Sequence, residues 1–164
     1  MRTMLRCLLI LCATWVPAVV SAAERAPDFL IYGLNVDEPT MLSEYRGQVV
    51  YIDFWASWCG PCRQSFPWMN ELHDRYAEQG LVVVAVNLDE SRDDARRFLD
   101  QVPARFPIVF HPEGNLPDQY GVQAMPSSYL VDRDGRIVHR ELGFELGETD
   151  RMEAMIVRQL RSSQ

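Results

Sequence analysis

The chain has 164 residues, 48% of them hydrophobic and 24% charged, with a formal net charge of −7. That length suits one domain with a real core. The acidic balance disfavours nucleic acid as a partner, since nucleic acid rewards basic patches, and leaves no polybasic patch for a membrane surface.

Residues 1–23 read as a secretory signal peptide. "MRTMLR" carries two arginines, "CLLILCATWVPAVV" is an apolar run, and "SAAE" offers small residues for cleavage. The run is short for a membrane span, which needs about 20 apolar residues, although an uncleaved segment would act as an anchor. Without Arg2 and Arg6, 14 basic residues stand against 23 acidic ones, a net charge of about −9. Loss of Cys7 and Cys12 leaves Cys59 and Cys62 as the only cysteines. Residues 24–164 then form one exported domain, in a compartment where disulfides persist.

"RGQVVYIDFWA", residues 46–56, predicts a buried strand, being rich in Val, Ile, Tyr, Phe and Trp. Beyond Cys59, Phe66, Met69, Leu72 and Tyr76 recur at helical steps, with Pro67 inside the run and Gly80 ending it. "LVVVAVNLD", 81–89, is a continuous apolar strand of the parallel-sheet kind. Residues 49–87 are therefore one strand–helix–strand unit. A helix over 91–102 follows, with Ser91 at its N-cap position, and then a short strand over 106–110. "HPEGNLPD" and the acidic "LDESRDD" read as solvated loops, and "GNLPDQYGV" holds at most a helical turn. "SSYLVDRDGRIVHREL", 127–142, is a hairpin around "DRDG". A terminal helix over 148–160 sets Met152, Met155, Ile156 and Leu160 on one face. Alternating strands and helices predict an α/β layer fold.

The pair in "WASWCGPCRQSFP" carries the chemistry. A structural zinc site wants four N or S ligands, whereas here one Cys pair stands with three scattered histidines, His73, His111 and His139. A haem hook needs His directly after the second Cys, and this chain has Arg63. No metal or cofactor is expected. A passive disulfide is the bland alternative, and the position of the pair argues against it. The cysteines open a helix at the end of a buried strand, where free N–H groups and the positive dipole end favour a thiolate. Cys59 is then the more exposed nucleophile, and Cys62, one turn deeper, the resolving thiol.

"DFWASWCGPCRQSFP" resembles the active-site segment of thioredoxin-fold proteins. The resemblance runs through "APDF", "LSEYRGQVVYIDFWASWCGPC", "VVVAVNLDES" and "QYGVQAMPSSYLVDRDGRIVHRELG", in the order found in the TlpA-, ResA- and DsbE-like exported thiol–disulfide oxidoreductases. It implies a thioredoxin-like fold: a central mixed β-sheet flanked by helices, with an extra helix and strand between the βαβ unit and the C-terminal ββα unit. It implies a redox-active Cys59–Cys62 disulfide. It makes Pro126 the cis-proline that holds a partner's extended chain, and places Trp58, Pro61, Met125 and Gly143 on the docking surface. Asp53 matches the buried Asp of cytoplasmic thioredoxins, which moves the proton of the deeper thiol. Many TlpA-like chains have Asn there and a Glu three residues after the second Cys; this chain has Asp53 and Ser65. Partner specificity attributed to that Glu therefore does not carry over.

The implied activity is reduction of protein disulfides by a monomer in the periplasm. The implied electron donor is a membrane reductase of the DsbD type. Implied clients range from apocytochrome c to oxidase assembly factors. The Gly60–Pro61 dipeptide matches thioredoxin, whose couple lies near ~−270 mV, against ~−120 mV for the oxidant DsbA. Two alternatives share the fold. Peroxiredoxins share "APDF" but precede the reactive Cys differently; copper metallochaperones space their cysteines by three and add a distal His.

Overall fold

A computed structural model describes residues 24–36, 38–112 and 114–162. The expected signal segment, with Cys7 and Cys12, lies outside the described residues. Among the described residues no helix is long and apolar enough to cross a membrane.

Two short antiparallel strands, β1 (Leu30–Ile31) and β2 (Thr40–Met41), lead into a 3-10 turn over Leu42–Tyr45. This opening pair was not visible as a pattern, because two residues are too few to show a period. Then come β3 (Val49–Trp55), α1 (Cys62–Tyr76), β4 (Leu81–Asn87), α2 (Arg92–Gln101), β5 (Ile108–Phe110), α3 (Leu116–Tyr120), β6 (Ser127–Val131), β7 (Ile137–Leu142) and α4 (Thr149–Arg161). Each expected element is present, with ends within three residues of those expected; α4 runs one residue further, to Arg161. Ser91 stands at the N-cap of α2 without a side-chain cap bond.

The five-stranded sheet has the order β5-β4-β3-β6-β7. β3, β4 and β5 are parallel, while β6 and β7 are antiparallel additions, so the sheet is mixed. α2 and β5 are the extra helix and strand between the two halves of the fold. All seven residues of β3 are buried, as a central strand covered on both faces requires.

Strand alternation divides β3 between two cores. Val49, Tyr51 and Trp55 face α1, α2 and α4, with Phe66, Met69, Leu72, Phe98 and Ile156. Val50, Ile52 and Phe54 face the N-terminal segment and α3, with Phe29, Leu42, Leu116 and Tyr120. Phe66 sits in an aromatic cluster, with ring centroids 4.8 Å from Trp55, 5.0 Å from Phe98 and 5.5 Å from Phe106. Edge-to-face pairs of this kind add about 0.5–1.5 kcal/mol each beyond area burial. The cluster fastens the first turns of α1 to the sheet, directly behind the cysteines. On α4, Met152 and Ile156 are buried, and Met155 and Leu160 pack against the same core, as the 3.6 period requires.

Candidate active site

β3 ends at Trp55, and the chain turns through Ala56–Gly60 before α1 begins at Cys62. That turn is held from below. Asp89 accepts the Ser57 amide at 2.9 Å and the Ser57 hydroxyl at 3.0 Å, and the Asn87 side-chain amide at 2.8 Å. Asp89 is only 4% exposed. The expectation of a solvated "LDESRDD" is corrected at this residue. A carboxylate with three donors satisfies its burial, and here it fixes the segment that carries the cysteines. The only sequence signal was an Asn closing an apolar strand two residues before an Asp.

Cys59 and Cys62 form a disulfide, with Cα atoms 5.3 Å apart. Cys59 is 3% exposed and Cys62 is fully buried. The order of depth is as expected, though both sulfurs lie deeper than a solvent-facing pair. The Cys62 amide donates to the Cys59 sulfur at 3.2 Å. This is one of the unpaired N–H groups of a helix N-terminus, aimed at the outer sulfur.

The remaining expected residues gather at the same end of the sheet. Phe54 pairs with Ser127 across β3–β6, so Pro126, just before β6, lies beside the end of β3. The Met125–Pro126 peptide is cis. Pro126 is buried, Met125 half-buried against the core, and Pro61 exposed. Trp58 is 72% exposed, although it is among the largest apolar side chains of the protein. The Gly143 amide donates to the Pro126 carbonyl at 2.8 Å. Gly143 holds φ at +84°, a conformation that favours glycine, and a Cβ there would point into open space. Pro61 and Gly143 rim a groove of about 520 Å³, with Trp68, Phe144, Tyr51 and Ser128 among its walls.

Asp53 stands between Tyr51 and Trp55 in β3. Those neighbours contact α1, with Tyr51 5.7 Å from Trp68 and Trp55 4.8 Å from Phe66 between ring centroids. Asp53 therefore points to the same face of the sheet as Cys62. It is 2% exposed, and its Oδ2 has no hydrogen-bond partner. Burial pushes its carboxyl well above the ordinary carboxylate range. Among the described residues there is no cluster of His, Cys, Asp and Glu able to hold a metal ion.

The Redoxin family profile matches residues 21–156. Thiol–disulfide oxidoreductase ResA of Geobacillus thermodenitrificans (strain NG80-2) is 36% identical over 118 residues, covering 72% of this chain and 67% of the relative. ResA of Bacillus anthracis is 32% identical over 125 residues, covering 76% and 72%. Among solved structures, a Chlorobium tepidum protein assigned as thiol:disulfide interchange protein DsbE aligns with a TM-score of 0.80 and 48% identity, over 84% of this chain and 96% of its own. The exposed lipoprotein thioredoxin of Streptococcus pneumoniae strain TIGR4 aligns with a TM-score of 0.70 and 28% identity, over 80% and 99%. With the thioredoxin-like sheet and the Cys59–Cys62 pair in place, these likenesses make the chain a member of the thioredoxin-fold Redoxin family, among its ResA- and DsbE-like thiol–disulfide oxidoreductases.

Proposed function

We propose that this protein is an exported disulfide reductase acting on protein clients. The observation that carries the reading is the Cys59–Cys62 pair at the N-terminus of α1, with the Cys62 amide directed at the outer sulfur. A donor at that point stabilises negative charge on Cys59 after reduction, which makes it the attacking group. In the first step the Cys59 thiolate attacks a client disulfide, forms a mixed disulfide and releases one client sulfur as thiolate. In the second step Cys62 gives its proton to Asp53 and attacks the Cys59 sulfur. The Cys59–Cys62 bond closes and the second client sulfur leaves. The client gains two electrons and the protein loses two. Burial pushes the Asp53 carboxyl up, which makes it a stronger base toward the Cys62 proton than an exposed carboxylate.

Trp58, Pro61, Met125, Pro126 and Gly143 form the client-docking surface in this reading. The exposure of Trp58 supports it, since an unburied indole beside the reactive pair is available to a partner. The electrons return through a membrane reductase of the DsbD type, and the clients include apocytochrome c or oxidase assembly factors, as the family resemblance suggests. Residues 1–23 direct export, and residues 24–164 act in the periplasm.

The test is stoichiometric. Reduced protein is mixed with an oxidised client such as insulin, and free thiols are counted on both partners. The reading requires two protein thiols lost for each client disulfide cleaved. Consumption of hydrogen peroxide with no transfer to the client would replace it with a peroxidase.

A further inference from the structure

Asp53 lies in the interior of the sheet, and the proton it receives from Cys62 needs an exit. The strand registers supply a line of polar groups. Asp53 of β3 is paired with Ser128 of β6, and Ser128 is paired with Glu141 of β7. Residues directly opposed in antiparallel strands project to one face, with Cβ atoms about 4.5–5.5 Å apart. The irregularity between β6 and β7 falls at Leu130 and Val131, beyond this row. A carboxyl, a hydroxyl and a second carboxyl therefore run side by side from the centre of the sheet to its edge. Exposure rises along the row: 2% at Asp53, 4% at Ser128 and 32% for the Glu141 side chain. Ser128 and Glu141 both line the groove that Pro61 and Gly143 rim, whereas Asp53 lies behind its wall.

We propose that Ser128 and Glu141 are positioning residues that carry the Cys62 proton from Asp53 to the groove, a role resting on the assignment of Asp53 as the proton acceptor. The Ser128 hydroxyl turns from Tyr51 to take a proton from the Asp53 carboxyl and passes its own to Glu141. Glu141 releases it to solvent in the groove, and no electrons move. Ser128 suits the transfer because a hydroxyl both donates and accepts.

Glu145 and Glu148 also line the groove into which the row opens. Tyr51 shares the β3 face and lines the groove; burial pushes its phenol up first and the charge of Asp53 adds to this, a hydrogen bond with Ser128 pulls it down, and Glu141 adds a smaller upward push. From α1 comes Cys62, and β4 contributes Ala85 opposite Asp53. His139 of β7 contacts Glu141 at 3.0 Å, and Arg151 of α4 donates to Glu141 at 2.7 Å and contacts Glu148. Burial alone would raise the Glu141 carboxyl, but the bonds from His139 and Arg151 outweigh it and hold the carboxyl below its ordinary value. Glu141 is thus ionised at neutral pH and holds a proton only briefly before the groove solvent takes it.

The experiment follows the indole fluorescence change on closure of the Cys59–Cys62 disulfide in a single turnover. Reduced protein is mixed with saturating oxidised insulin between pH 5 and 9, in water and in heavy water. Ser128→Ala and Glu141→Gln are expected to lower the limiting rate at neutral pH about tenfold, below the 10²–10⁴ that a complete acid–base contribution supplies. They should also enlarge the heavy-water effect, leave half-saturation by insulin unchanged, and be rescued in Ser128→Thr. Glu141 is at the half-exposed edge, so its variant carries the test if Ser128→Ala fails to fold. Wild-type limiting rates and heavy-water effects in Ser128→Ala and Glu141→Gln, alongside an altered pH profile in Asp53→Asn, would overturn the row and leave Asp53 standing. A wild-type profile in Asp53→Asn would remove the proton acceptor and the row with it.

Discussion

The backbone amide of Cys62 points at the sulfur of Cys59, 3.2 Å away. The two cysteines are therefore unequal before any client arrives. One is met by a helix N-terminal donor, and the other is sealed against Phe66 and the sheet. Replacement of each should separate the two steps. Cys59→Ser loses all exchange. Cys62→Ser accumulates a covalent complex with the client through Cys59, visible as a summed mass that collapses on adding dithiothreitol. A stable complex formed by Cys59→Ser instead would reverse the roles.

Asp53 makes a prediction about stability with a definite sign. Its carboxyl is raised in the folded protein, so the folded state holds its proton more tightly than the unfolded chain does. Stability is then fully present below the unfolded-state value near pH 4, and falls as pH rises toward the folded value. Asp53→Asn removes that fall. The oxidised variant should be about 1–3 kcal/mol more stable than the parent at pH 7, the usual cost of a buried group without a partner, and equal to it near pH 3. Urea titrations at the two pH values check this. Equal stability at pH 7 would mean that the carboxylate is satisfied in solution.

Asp89 makes the opposite prediction. Its carboxylate satisfies Ser57 and Asn87, and Asp89→Ala orphans buried donors at a cost of about 1–3 kcal/mol each before relaxation. The variant should unfold at lower urea and exchange the Ser57 amide hydrogen faster. An unchanged midpoint would show that the turn holds itself.

Trp58 should behave as a contact rather than a support. At 72% exposure it contributes little to the core, and substitutions at such positions usually shift stability by less than about 0.5 kcal/mol. Trp58→Ala should raise the client concentration needed for half-maximal rate several-fold, while the unfolding midpoint stays put. A large loss of stability with unchanged client dependence would make it a packing residue.

The parts of the molecule that repeat a period were legible in the sequence. β3 and β4 are runs of apolar residues long enough to show a strand buried on both faces, and α4 shows its buried stripe through Met152 and Ile156. The cysteine pair was legible from its place between a strand and a helix. Asp89 was not, because nothing in an acidic run distinguishes the one carboxylate that folds under the Ser57 turn. Nor was the Asp53–Ser128–Glu141 row. It depends on the register of three strands, and Ser128 and Glu141 are 75 and 88 residues beyond Asp53 in the chain. Local pattern reports which face a residue takes, and register alone reports its neighbour.

If electrons flow from this protein to its clients, the reduction potential of the Cys59–Cys62 couple must be low. Equilibration of the purified protein with dithiothreitol or glutathione buffers, followed by the fluorescence of Trp55 and Trp58, gives the value. With Gly60 and Pro61 between the cysteines, the expected potential lies near thioredoxin's ~−270 mV; a value near the ~−120 mV of DsbA would mean that the protein donates disulfides and is not a reductase.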